Sequence, residues 1–92
     1  MKNALKGRVV VITGASSGIG EAMAKVYAQM GAKVVLGARS EEKLAALTDE
    51  IIKGGGKAAY CAADVTKAED CKALIDKAVE AFGDTVHVLV NV

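Results

Sequence analysis

The sequence predicts an α/β fold, with a parallel sheet of four strands and three helices laid on its faces. Three observations carry that expectation. Short β-branched runs recur along the chain, amphipathic segments at helical spacing lie between them, and the connections are only a few residues long. Such alternation closes with parallel strands joined by right-handed crossovers.

The first strand is Arg8 to Thr13, apolar on both faces and stopped by Gly14. From Ile19 the positions Ile19, Met23, Val26, Tyr27 and Met30 recur at helical spacing, and Gly31 stands where a helix-ending glycine belongs. Lys33 to Gly37 reads as a second buried strand. Ser40 opens the next helix, with Glu41 and Glu42 in its first turn and Leu44, Leu47 and Ile51 toward the core. Gly54-Gly55-Gly56 reads as a flexible turn, because three glycines impose little conformational preference. Ala58 to Ala63 is the third strand, followed by Asp64-Val65. Thr66-Lys67-Ala68-Glu69 has the form of a capping box, and Cys71, Leu74, Ile75, Ala78 and Phe82 mark one face of the helix after it, up to Gly83. Val86 to Val92 is the fourth strand.

Ninety-two residues make a single domain, 1–92. With 52% hydrophobic and 25% charged residues, disorder is excluded as the main state. Twelve basic against eleven acidic residues, in no long run, leave no footprint of a nucleic-acid binder. The apolar runs fall far short of the roughly 20 residues that span a bilayer, and no apolar leader segment follows Met1, so no membrane partner is expected. Cys61 and Cys71 lack a Cys-x-x-Cys spacing and the chain has one histidine, so no metal site is expected. They read as buried reduced thiols in a reducing, cytoplasmic compartment.

Thr13-Gly14-Ala15-Ser16-Ser17-Gly18-Ile19-Gly20 joins the first strand to the first helix, the context that gives a glycine pattern meaning. Its glycines permit a tight turn, let backbone N–H groups approach a pyrophosphate and allow close helix–strand packing, while the helix N-terminus adds partial positive charge.

Written as TGASSGIG, the segment resembles the TGxxxGxG cofactor fingerprint of the short-chain dehydrogenase/reductase family. The resemblance runs through nearly the whole chain and implies the first half of a Rossmann domain, with strand order 3-2-1-4. It implies that Asp64, followed by the small apolar Val65, contacts the adenine. It also places Leu89-Val90-Asn91 at the entrance to the family's Asn-Asn-Ala-Gly motif, where Val92 stands in place of the second Asn. At the end of the second strand Gly37-Ala38-Arg39 has no carboxylate to accept the 2′-hydroxyl of NAD or to repel a 2′-phosphate. Arg39 can pair with that phosphate through its planar fork, so NADP is favoured over NAD. The resemblance puts Arg39 where relatives preferring NADP often carry Arg, with Ser16 or Ser17 adding hydroxyl contacts. The expected cofactor residues are therefore Gly14, Ser16, Ser17, Gly18, Ile19, Gly20, Arg39, Asp64, Val65 and Asn91.

In the family, hydride transfer uses a Tyr-x-x-x-Lys pair with a Ser and an Asn. Tyr27 and Tyr60 are followed four places on by Gly31 and Asp64, so neither forms that pair and no catalytic residue is assigned. His87, among Val86, Val88, Leu89 and Val90, reads as a strand residue with no catalytic partner. The expectation is a truncated dinucleotide-binding domain with weak NADP binding and no oxidoreductase activity alone. Its fourth strand, on an edge, is expected to form a homodimer by strand pairing or exchange. The alternatives are a self-assembling structural fragment or an engineered minimal module with an unoccupied loop, and a reductase completed by another chain.

Overall fold

Two strands of nearly unbroken apolar sequence form the centre of the sheet. In the computed structural model, which describes residues 5–15, 18–64, 66–83, 86 and 88–91 (backbone only for 88, 89 and 91), these are β1 (Val9–Thr13) and β2 (Lys33–Ala38). Then come β3 (Lys57–Ala62) and β4 (Val88–Asn91), giving one parallel sheet in the order β3-β2-β1-β4. Side-chain alternation sorts the two faces. Val10, Ile12, Val34 and Leu36 pack under α1 (Gly18–Gln29) and α2 (Glu41–Lys53), whereas Val9, Val11 and Val35 pack under α3 (Ala68–Phe82) through Leu74 and Ala78. Since both faces are covered, Val9 to Ile12 have no exposed surface.

The seat of α3 is set by a glycine. A Cβ on Gly37 would lie 2.6 Å from Leu74 Cδ2 and 3.0 Å from Cδ1, so the missing side chain admits the leucine to β2.

α1 corrects the expected apolar face. Ile19 and Val26 are 68% and 51% exposed, while Gly20 and Ala24 are buried and Tyr27 and Ala28 pack on the core. The rotation of the helix is set where Gly20 meets the β1–α1 turn, and at 100° per residue Ile19 and Val26 then lie about 100° and 120° away from that contact. Small residues bring the helix close, and the larger aliphatics are left outside.

Helix ends follow two patterns. After α1, Gly31 at φ +90° donates to the Ala28 carbonyl and Ala32 to that of Tyr27; after α2, Gly55 at φ +91° donates to Ile52 and Gly56 to Ile51. Both are Schellman motifs. The triple glycine is thus a defined helix stop rather than the flexible turn expected. At the other ends, Ser40 occupies the N-cap of α2 without a side-chain cap bond, and Lys67 rather than Thr66 is the N-cap of α3. The Thr66 hydroxyl is turned back to Asp64 Oδ1 at 2.6 Å, so the capping box does not form. A carboxylate two residues away is a stronger acceptor partner than a helix N–H is a donor.

Cys61 and Cys71 form no disulfide and are half-buried, not buried, because β3 lies at the sheet margin and Cys71 flanks the face of α3 that carries Leu74. β3 starts and stops one residue before the expected bounds, and the described part of β4, Val88–Asn91, lies within those expected for it. Among the described residues no helix is long and apolar enough to cross a membrane.

Candidate nucleotide-binding site

Parallel pairing brings the strand ends into one row. Thr13 is opposite Gly37 and Asn91, and Gly37 is opposite Cys61, so the loops that follow all leave from the same edge of the sheet. That edge is where open α/β sheets take their ligands. Thr13 donates its hydroxyl to the Val90 carbonyl at 3.3 Å, and Ala15 donates its N–H to the Gly37 carbonyl at 3.2 Å, which tie the β1–α1 turn to the neighbouring strands.

The three fingerprint glycines meet three different demands. Gly14 has φ +71°, the left-handed conformation that turns the chain out of β1. A Cβ on Gly20 would collide with the Gly14 carbonyl oxygen and lie 2.8 Å from Ala15 Cα, so α1 rests directly on the turn. Gly18 differs from both. Its φ is not positive and, among the described residues, a Cβ there would meet nothing within 4 Å. None of the described residues gives that glycine a steric use, and on their side the space beside the first turn of α1 is open to a group that approaches the backbone. Ile19 is exposed beside it.

At the ends of β2 and β3, Ala63 donates its N–H to the Ala38 carbonyl at 2.8 Å, holding the β3–α3 loop to the end of β2. Beyond that link Arg39, with its side chain 79% exposed, has Nε 4.0 Å from Asp64 Oδ1, whose side chain is 28% exposed. The same oxygen accepts the Thr66 N–H at 3.0 Å and the Thr66 hydroxyl at 2.6 Å, and the Asp64 N–H donates to Asp70 Oδ2 at 2.9 Å. Thr66 bonding, first through its hydroxyl and then its N–H, holds the Asp64 carboxyl below its ordinary range; Arg39 and Lys67 add to this and desolvation opposes it.

The structure therefore places Gly14, Gly18, Ile19 and Gly20 on one turn, brings Arg39 and Asp64 into contact, and ends β4 at Asn91 opposite Thr13. Ser16, Ser17 and Val65, like His87 and Val92, lie outside the described residues. Tyr27 and Tyr60 pack against the core under α1 and α2. The sequence reading missed Thr66 and Asp70 as the supports of Asp64, although Asp-x-Thr is a readable turn signal. No group of three metal-ligating side chains gathers among the described residues.

Two hollows lie elsewhere. One, about 590 Å³, opens at the opposite edge of the sheet between the C-terminal ends of α1 and α2, lined by Ala28, Gly31, Ile51 and Gly54 to Gly56. At its rim Lys25 Nζ is 3.0 Å from Glu50 and 3.2 Å from Glu21, and these carboxylates, Glu50 first, raise the lysine above its ordinary pKa. The other, about 290 Å³, lies between α1 and α2 beside Ala15 and Leu47.

Comparison with known proteins agrees with this geometry. The sequence is 46% identical over 87 residues to an uncharacterised oxidoreductase of Listeria innocua, covering 95% of this chain and 35% of that protein. A short chain dehydrogenase from Mycobacterium smegmatis superposes with a TM-score of 0.90 at 37% identity, over 98% of this chain and 38% of the other. A short-chain dehydrogenase/reductase from Burkholderia phymatum, solved in complex with NAD, gives a TM-score of 0.87 at 41% identity, over 92% of this chain and 30% of the other. The chain thus spans about a third of the length of the relatives it matches. The sequence model of the short chain dehydrogenase family matches residues 8–92. With the glycine turn and the aligned strand ends, that match settles the family: the chain belongs to the short-chain dehydrogenases, as the N-terminal part of the fold.

Proposed function

We propose that these residues form the adenosine and pyrophosphate half of a dinucleotide site, with NADP preferred over NAD. The observation that carries the reading is Gly18, a glycine at the helix N-terminus whose missing side chain relieves no contact with any described residue. The fold has a use for Gly14 and Gly20, and a ligand supplies one for Gly18. Backbone N–H groups of the first turn of α1 would take the pyrophosphate, Asp64 the adenine and Arg39 the 2′-phosphate. Asn91, at the end of β4, stands on the side toward the nicotinamide. When bound, that ring supplies or accepts the hydride in the reactions of the family.

These 92 residues contain no Tyr-x-x-x-Lys pair, and our reading gives them binding without turnover of their own. Contacts to only part of the dinucleotide make the affinity weak. The reading includes a homodimer through β4, whose only partner strand among the described residues is β1. An unpaired strand edge is a template for a second copy.

Calorimetric titration with NADP and with NAD tests the nucleotide assignment. Saturable binding that favours NADP, reversed by Arg39→Asp, is the expected result. Equal affinities, or a preference that survives Arg39→Asp, refute the role of Arg39, and NAD becomes the better reading, as in the Burkholderia phymatum complex. Light scattering on the same samples tests the dimer, and a strictly monomeric species at high micromolar concentration rejects it.

A further inference from the structure

The proposed site gives Arg39 to one end of the adenosine and Asp64 to the other, yet in the structure the two are not independent. Arg39 Nε faces Asp64 Oδ1 at 4.0 Å, and that oxygen is held in place by both the N–H and the hydroxyl of Thr66. The Asp64 backbone is anchored in turn, through its N–H to Asp70 Oδ2 and through the Ala63–Ala38 bond to the end of β2. A fixed negative charge therefore stands beside the guanidinium of a side chain that is otherwise largely in water.

We infer that Asp64 is an internal competitor for Arg39, a carboxylate that occupies the guanidinium in the free protein and thereby sets the ratio of NADP to NAD affinity. The inference rests on the nucleotide reading above and goes one step beyond it. At 4.0 Å the contact is too long for a hydrogen bond and acts through charge alone, in a place open to solvent and salt. A 2′-phosphate carries more charge than a carboxylate and accepts two parallel bonds from the guanidinium fork, so it displaces Asp64 rather than being shut out. The opposition falls on NADP only, because NAD carries no group that needs Arg39. Thr66 keeps the competitor weak, since its two bonds hold Oδ1 where it reaches Arg39 only at long range.

The test is the ratio of the NAD and NADP dissociation constants, measured by calorimetry at low ionic strength. Any contact between Asp64 and the adenine is common to both nucleotides and cancels in that ratio. Asp64→Asn is expected to raise the ratio in favour of NADP by about two- to fivefold, the range for an exposed ion pair. The same change in an Arg39→Ala background is expected to leave the ratio unaltered, which separates competition for Arg39 from direct repulsion of the phosphate. An unchanged ratio in Asp64→Asn, or an equal rise without Arg39, overturns the inference while leaving the nucleotide site standing. Absence of saturable binding by the unmutated protein overturns both. Should Asp64→Asn fail to fold, Thr66→Val gives a second test, because loss of the hydroxyl bond frees the carboxylate to reach Arg39. It is expected to lower the ratio, and an unchanged ratio overturns the inference.

Discussion

Gly18 and Gly20 are two residues apart, and replacing each with alanine should give opposite results. At Gly20 the new Cβ would strike the Gly14 carbonyl and sit 2.8 Å from Ala15 Cα, and both obstacles are backbone that cannot rotate away. Overpacking of that kind costs about 1–3 kcal/mol or more. Immovable backbone puts the cost at the top of that range, and the better helix propensity of alanine returns about 1 kcal/mol, so a net loss of about 2 kcal/mol is expected for Gly20→Ala. In a domain of this size each kcal/mol lowers Tm by about 4–8 °C, which predicts a drop of about 8–16 °C. At Gly18 the Cβ meets none of the described residues and φ is not positive, so Gly18→Ala should leave stability unchanged or raise it by up to about 1 kcal/mol. Its cost should appear only with ligand, as at least a tenfold loss of NADP affinity, because the methyl fills the space proposed for the pyrophosphate. Far-UV circular dichroism follows unfolding in a chain without tryptophan, and calorimetry follows binding. If Gly18→Ala destabilises as much as Gly20→Ala, or binds NADP as the unmutated protein does, the division of labour between the two glycines is wrong.

Three further outcomes are expected. Gly37→Ala should destabilise by about 1–3 kcal/mol through its clash with Leu74, and urea titration of Gly37→Ala in a Leu74→Ala background should show most of that penalty gone. Gly55→Ala places a side chain at φ +91° and should lower stability by about 1 kcal/mol, whereas Gly54→Ala, at negative φ with its nearest neighbours at 3.5 Å, should not; thermal melts compare them. Asp64 has its folded-state pKa below the ordinary 3.8, so its contribution to stability is complete above that value and is lost as pH falls through the folded-state value. Asp64→Asn should therefore flatten the acid limb of a Tm-versus-pH profile, and an unaltered limb refutes the assignment.

The parts of this fold that could be read in advance are those where hydrophobic pattern and structure have the same cause. Val9 to Ile12 and Val34 to Leu36 are continuous because both faces of the sheet are covered, and continuity is what identifies a buried strand. α1 was misread for the converse reason. Its large apolar residues suggested one face, but the seat on the sheet was taken by Gly20 and Ala24, which carry almost no hydrophobic signal and matter because they are small. Thr66 illustrates a second kind of failure, in which one hydroxyl has two competent partners and the pattern Thr-x-x-Glu names only one; the carboxylate of Asp64 won, and α3 began a residue later. Gly55 failed through inconsistency, since the rule that recognised Gly31 as a helix stop applies equally to it.

The candidate site divides along the same line. The glycine turn was legible because strand, turn and helix are consecutive, so spacing alone reports the geometry. The Arg39–Asp64 contact was not, because it joins residues 25 positions apart and depends on parallel register placing the ends of β2 and β3 side by side. Each residue could be assigned a ligand contact separately, while their effect on one another could not be seen. In the proposed site cofactor choice is a property of the pair. The guanidinium at the end of β2 would favour a 2′-phosphate, and the carboxylate that Thr66 holds beside it would temper how strongly.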